Sequence, residues 1–273
     1  MSALGSGTLL YAQFGQDFFR AFGGLRGEQG DPAELPPPQW PDRNVTACHM
    51  LYTSVRREAN GAGWRTDYPW GERHLLSRLS ELTKTHVSRL SPAIPHSWLV
   101  RLTDEALFGC TFLMASDVGT IELSDAEAAG LRKYLEKGGF LWVDDFWGNA
   151  AWDQWSREFG KAMPPEQFPI EDVLPGDPLF HSLFEVTKVP QVTSIRFWRS
   201  VGGRTTSERG AESAVAHLRA VRDRRGRIIA VMTHNTDVSD SWERESEDPE
   251  FFYQFSPDGY ALGIDVIIYA LTH

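Results

Sequence analysis

Residues 111–148 constrain the fold more than any other stretch. Residues 111–115 (TFLMA) form a continuous apolar run, the pattern of a strand covered on both faces. Ser124-Asp125-Ala126-Glu127 then reads as a capping box that starts a helix. That helix carries Ala128, Leu131 and Leu135 inward and stops at Gly138-Gly139, which suit a left-handed C-terminal turn. Residues 140–143 (FLWV) are a second buried strand, running directly into Asp144-Asp145-Phe146-Trp147-Gly148, and another helix is expected over about 150–163. Strand, helix, strand, helix in this order calls for crossover connections and a parallel sheet.

The flanking segments extend this pattern. Residues 46–53 predict a first strand, followed by a Gly-rich loop over 60–69. Pro69 opens a helix with Leu75, Leu76, Leu79 and Leu82 at helical spacing. Residues 214–221 and 227–233 predict two strands joined by the turn Asp223-Arg224-Arg225-Gly226, a late β-hairpin. Residues 260–271 predict a closing helix. The expected architecture is a three-layer α/β sandwich with a mainly parallel sheet, formed by one domain over 42–273. Residues 1–41 read as a flexible leader or as the remnant of a secretory signal, given the small apolar start at 3–12 and the Gly- and Pro-rich stretch at 23–41.

Composition narrows the function classes. The 27 Lys and Arg against 37 Asp and Glu leave a formal charge of −10, which argues against a protein that coats nucleic acid. No apolar run is long enough for a membrane-spanning helix. Two cysteines exclude a disulfide scaffold; Cys48, inside a strand, and Cys110, just before one, both read as small buried hydrophobes. The chain has no G-x-S-x-G elbow, no phosphate-binding GxxxxGK[ST] and no HExxH.

Three polar clusters fall at expected strand ends, where open parallel sheets bind ligands. Asp144 and Asp145 end a buried strand. They invite a cation or a raised pKa, or else one caps the next helix while the other pairs with an arginine. His234-Asn235-Thr236-Asp237 ends another strand, with Trp242-Glu243-Arg244-Glu245 close behind. It offers an imidazole, an amide and a carboxylate, groups that ligate metals, share acid–base work or simply hold structure. Arg65-Thr66-Asp67-Tyr68 lies ahead of a helix start and suits either an anion or an internal ion pair. Trp142, Trp147, Trp152 and Trp155 surround the Asp144-Asp145 turn as an aromatic wall or as core. Charge is also segregated: nine arginines lie within 196–227, and eight acids with one arginine lie within 237–258.

Five separated segments resemble the bacterial domain-of-unknown-function family 4159. They are Gly63-Trp64-Arg65-Thr66-Asp67-Tyr68-Pro69, the 138–148 run, His234-Asn235-Thr236-Asp237, Glu247-Asp248-Pro249-Glu250, and the closing 260–273. The resemblance implies a glutamine-amidotransferase-like, flavodoxin-type sandwich. In that group a cysteine nucleophile occupies a turn that here reads Val143-Asp144-Asp145-Phe146, so glutamine hydrolysis is not implied. Many members of the family are exported or membrane-associated, which favours an exported or periplasmic chain.

The leading expectation is a domain without the cysteine nucleophile that binds a small molecule or a protein partner at the carboxyl edge of its sheet. Arg65, Asp67, Tyr68, Asp144, Asp145, Trp147, His234, Asn235, Asp237 and Trp242 would line the site. The second expectation is a metal-assisted hydrolase, with a divalent metal on Asp144, Asp145, His234 and Asp237. The third is a structural subunit of a larger complex.

Overall fold

The computed structural model describes residues 25–273. The expected signal remnant at 3–12 lies outside them. Seven strands form the central sheet: β1 (Ala47–Leu51), β2 (Ser97–Arg101), β3 (Phe112–Ser116), β4 (Leu141–Phe146), β5 (Glu171–Asp172), β6 (His217–Arg222) and β7 (Ile228–His234). Their order is β2-β1-β3-β4-β7-β6-β5. The first five of these run parallel, β6 is antiparallel to β7, and β5 is antiparallel to β6.

The order follows from the crossovers. After β1 the chain passes through helix α1 (Trp70–Leu82) to β2 at the edge, then returns to place β3 on the other side of β1. Helix α2 (Asp125–Glu136) leads from β3 to β4, and α3 (Gly148–Ala162) follows β4. The reversal between β1 and β3 is a topological switch point of the 2-1-3-4 type, where a crevice opens beyond the carboxyl ends of the strands.

Alternation along each strand separates the two faces. Cys48, Leu113, Ala115, Leu141 and Val143 pack with α2 and α3, while Ala47, Phe112, Met114 and Trp142 pack with α1 and the closing helix α6 (Pro249–Thr272). This is a three-layer α/β sandwich, with strands apolar on both faces because both are covered. The capping box of α2 is present in full, Ala128, Leu131 and Leu135 are buried, and Gly138 takes φ 101°. Leu75, Leu76 and Leu79 of α1 are buried, but Leu82 is 50% exposed at its end. The closing helix starts earlier than its apolar stretch suggested, because Asp248 caps it and Pro249 occupies its first position.

The cysteines require a correction. Both are buried, yet they are bonded to each other: the Cys48–Cys110 disulfide ties β1 to the residue preceding the β3 region. Spacing alone did not show this, because parallel pairing of β1 with β3 brings together residues 62 apart in sequence. No helix among the described residues is long and apolar enough to cross a membrane.

Candidate functional site

Four of the loops that leave the carboxyl edge each carry an aspartate or asparagine in the left-handed region. Asp67 follows β1 (φ 65°), Asp117 follows β3 (φ 53°), Asp145 lies at the end of β4 (φ 51°) and Asn235 follows β7 (φ 62°). Asp and Asn tolerate this region best among residues with a Cβ, and such strain concentrates at binding and catalytic sites. The left-handed turn at Asp145 also answers the problem posed by two adjacent acids on one strand. Asp144 keeps to the sheet face while Asp145 turns into the crevice.

The crevice is narrow, with a volume of about 10 Å³, room for one water-sized species. Its lining carries five carboxylates (Glu28, Asp67, Asp145, Asp237 and Asp240) against two guanidinium groups, Arg196 and Arg244. One oxygen each from Asp67, Asp237 and Asp240 lies within 4.8 Å of the other two. Two oxygens that share one hard divalent cation at about 2.4 Å can stand no more than about 4.8 Å apart, and the three fall within that limit.

Local structure sets each of these groups. The Asp67 carboxylate accepts a short hydrogen bond from the Ser116 hydroxyl at the end of β3. Asp237 Oδ1 accepts the Asp240 amide at 3.0 Å, as expected where α5 (Asp240–Glu243) begins. Asp240 Oδ2 accepts the Ile195 amide at 2.8 Å, which brings in the start of α4 (Ile195–Val201). Asp145 Oδ1 accepts the Trp147 indole N–H at 2.8 Å. Arg244 is the buried counter-charge, with its guanidinium 3.0 Å from Glu28, 3.4 Å from Asp240 and 2.8 Å from Glu243.

One buried arginine, with the largely exposed Arg196 at the rim, does not neutralise this set. Burial, then the Asp240 charge, push the Asp67 carboxyl well above the usual carboxylate range. Burial, then Asp67, do the same to Asp145. Burial, then Asp145 and Asp240, raise Asp237. Burial and Asp240 raise Glu243. Asp240 rises only to about 6, because Arg244 offsets part of the burial effect. Beyond the crevice, burial lifts Asp117 to about 7, although the Gly63 amide donates to it. Buried like charges this close together favour either protonation or a bound cation.

The remaining sequence candidates are placed elsewhere. Asp144 has both oxygens occupied: Thr233 Oγ1 donates at 2.6 Å to one, and the Ser239 amide and hydroxyl donate to the other at 2.8 and 2.9 Å. It anchors the loop that carries Asp237 and Asp240 and does not line the crevice. His234 is buried among Phe146, Trp152 and His217. Its Nε2 meets the Gly148 carbonyl at 3.1 Å and its Nδ1 meets Arg219 at 3.1 Å. Burial lowers it to about 4, so it is neutral near pH 7, and it is not brought to the carboxylate cluster. Asn235 clamps the start of α3, accepting the Gly148 amide and donating to the Val215 carbonyl. Tyr68 donates to the Ser97 carbonyl and accepts the Glu34 amide, Trp242 packs between Trp142 and Tyr260, and Arg65 is exposed.

Of the candidates, Asp67, Asp145 and Asp237 therefore meet in one crevice, with Trp147 holding Asp145. Asp240, Glu243, Arg244 and Glu28 complete the cluster without having been singled out as a set. A signal for the first two existed: acids at 237, 240 and 243 recur every third residue, a spacing that would put neighbours on one helical face, and the structure has Asp240 and Glu243 in a short helix just after Asp237. Nothing local pointed to Glu28, which reaches the site across more than two hundred residues of sequence to bond Arg244.

A family model, the domain of unknown function DUF4159, matches residues 52–271. The comparison with curated proteins found no match. The chain belongs to the DUF4159 family.

Proposed function

We propose, for this member of the DUF4159 family, that the chain binds a hard divalent cation at the carboxyl edge of its sheet, and that the ion presents an open face to a further ligand. The observation that carries this reading is the convergence of Asp67, Asp237 and Asp240 within 4.8 Å in a buried crevice short of positive charge. An all-oxygen carboxylate set suits Mg²⁺, Ca²⁺ or Mn²⁺ rather than softer metals. The relation to the glutamine-amidotransferase-like group belongs to the same proposal. Strand order supports it, as does the left-handed residue Asp145 within the Val143-Asp144-Asp145-Phe146 turn that the resemblance matches to the nucleophile turn of that group.

The test is isothermal titration of the chelator-treated protein with each of the three ions, together with melting temperature. One saturating equivalent and a raised melting temperature are expected, and both are expected to be absent in Asp237→Asn. No binding by any ion, or wild-type binding by Asp237→Asn, overturns the reading.

One observation favours metal-assisted hydrolysis as a second reading. Asp145 lines the crevice without being one of the three converging ligands, and its carboxyl holds a proton strongly in the cation-free pocket. With an ion bound, the Asp145 carboxylate would accept the proton of an ion-held water. The disulfide supports export, since such bonds persist in oxidising compartments.

A further inference from the structure

The family match begins at residue 52, yet one wall of the crevice comes from well before it. Residues 25–34 form a small closed loop, in which the Ala33 amide donates to the Leu25 carbonyl and the Gly27 amide to the Asp31 carbonyl. The loop lies across the turn that carries Thr66, Asp67 and Tyr68. The Glu28 amide donates to the Tyr68 carbonyl at 3.2 Å, the Trp70 indole to Asp31 at 2.9 Å, and the Glu34 amide to the Tyr68 hydroxyl oxygen at 2.8 Å. The approach is close enough that a Cβ on Gly27 would stand 2.2 Å from the Tyr68 carbonyl oxygen. From this platform Glu28 reaches Arg244 at 3.0 Å, Arg196 at 3.3 Å and the Asp67 amide at 3.4 Å, while Gln29 donates to Glu243 at 2.8 Å.

We infer that residues 25–34 are a strap whose docking completes the cation pocket, with Glu28 as a positioning residue that orients Arg244 and adds negative charge beside Asp67. This rests on the cation reading above. The strap sets a carboxylate against others already crowded together, so an ion in the crevice removes a repulsion that opposes docking. Strap docking and cation binding must then strengthen one another by the same factor.

The test uses the full chain, first titrated with Mg²⁺, Ca²⁺ and Mn²⁺, then followed by hydrogen–deuterium exchange with and without the ion that binds. The expected result is that the ion slows exchange of residues 25–34 several-fold. Gly27→Ala, which alters no charge and no ligand, is expected to speed exchange of the strap and weaken the ion by about 10-fold, within the usual range of coupling between sites. Glu28→Gln is expected to weaken the ion without lowering the melting temperature of the cation-free protein. Ion binding that leaves strap exchange unchanged overturns the strap and spares the cation reading, as does wild-type affinity in a Gly27→Ala protein whose strap exchanges faster. A wild-type chain that binds none of the three ions overturns the cation reading and the strap with it.

Discussion

The two ends of the sheet treat charge in opposite ways. At the carboxyl edge, Asp67, Asp145, Asp237, Asp240 and Glu243 are buried, and four of the five are pushed well above ordinary carboxylate behaviour. At the amino edge, the turn between β6 and β7 exposes Arg224 and Arg225 to solvent. Burial is the largest single influence on its one acid, Asp223, but the Arg225 and Arg227 amides and the Arg227 guanidinium together outweigh it and hold the carboxyl below its ordinary value. Both regions were conspicuous as charge runs. Water cancels nearly all the electrostatic energy of the exposed one, and its absence concentrates that energy in the other. Charge density in a sequence therefore says little about function until burial is known.

Asp144 sharpens the comparison, because it is buried at the carboxyl edge but fully hydrogen-bonded. Replacing it with Ala leaves both Ser239 donors without their acceptor and the Thr233 hydroxyl with the Val143 carbonyl alone. The expected loss is about 3 kcal/mol, read by chemical denaturation, since bonds to a charged group are among the stronger ones. An unchanged midpoint would place Asp144 with the strained acids instead.

Asp237→Asn removes one of the mutually repelling carboxylates. The cation-free protein is expected to be as stable as wild type or more so. Cation affinity falls by at least the ~100-fold that loss of an outer-shell partner alone can cause. A large loss of stability in the cation-free variant would break the contrast with Asp144.

The third prediction concerns pH. Burial raises Asp240 to about 6 and Asp117 to about 7, above the roughly 4 of an unfolded aspartate. Both carboxyls therefore bind protons more tightly when folded than when unfolded. Their contribution to stability is fully present below about pH 4 and is lost as pH rises through about 6 to 7. Chelated protein should melt progressively lower between pH 5 and pH 8, and the bound cation should flatten that slope. A chelated protein that gains stability over this interval would contradict the burial argument.

The smallest effect belongs to the amino edge. Arg224→Ala and Arg225→Ala should each change stability by less than about 0.5 kcal/mol, as solvated charges do. A substantial shift in either would show that the hairpin turn is more than a solvated loop.

The individual strands and helices were largely legible because each is a local pattern. The capping box at Ser124, the Gly138-Gly139 stop and the apolar runs of β3 and β4 all act within a few residues. The site was legible in part. Asp67, Asp145 and Asp237 stood out at strand ends, but their neighbours His234 and Asp144 looked equally suited to ligate. What separates Asp144 from Asp145 is a single left-handed residue at the end of β4. What withdraws His234 is an aromatic cage built from β4 and α3.

The sequence by itself determined the alternation of buried strands and capped helices, and with it the parallel, doubly covered sheet, because backbone preference and hydrophobic burial are read off neighbouring residues. Tertiary structure alone decided which charges face one another. The arginine run divides because antiparallel β6 carries the chain from one edge of the sheet to the other, leaving Arg196 at the crevice and Arg224 at the far turn. The cysteines meet because β1 and β3 are adjacent. Glu28 enters the crevice because its loop lies on the Tyr68 turn. Electrostatic energy depends on distance and dielectric, and both are properties of the packed molecule rather than of its order of residues.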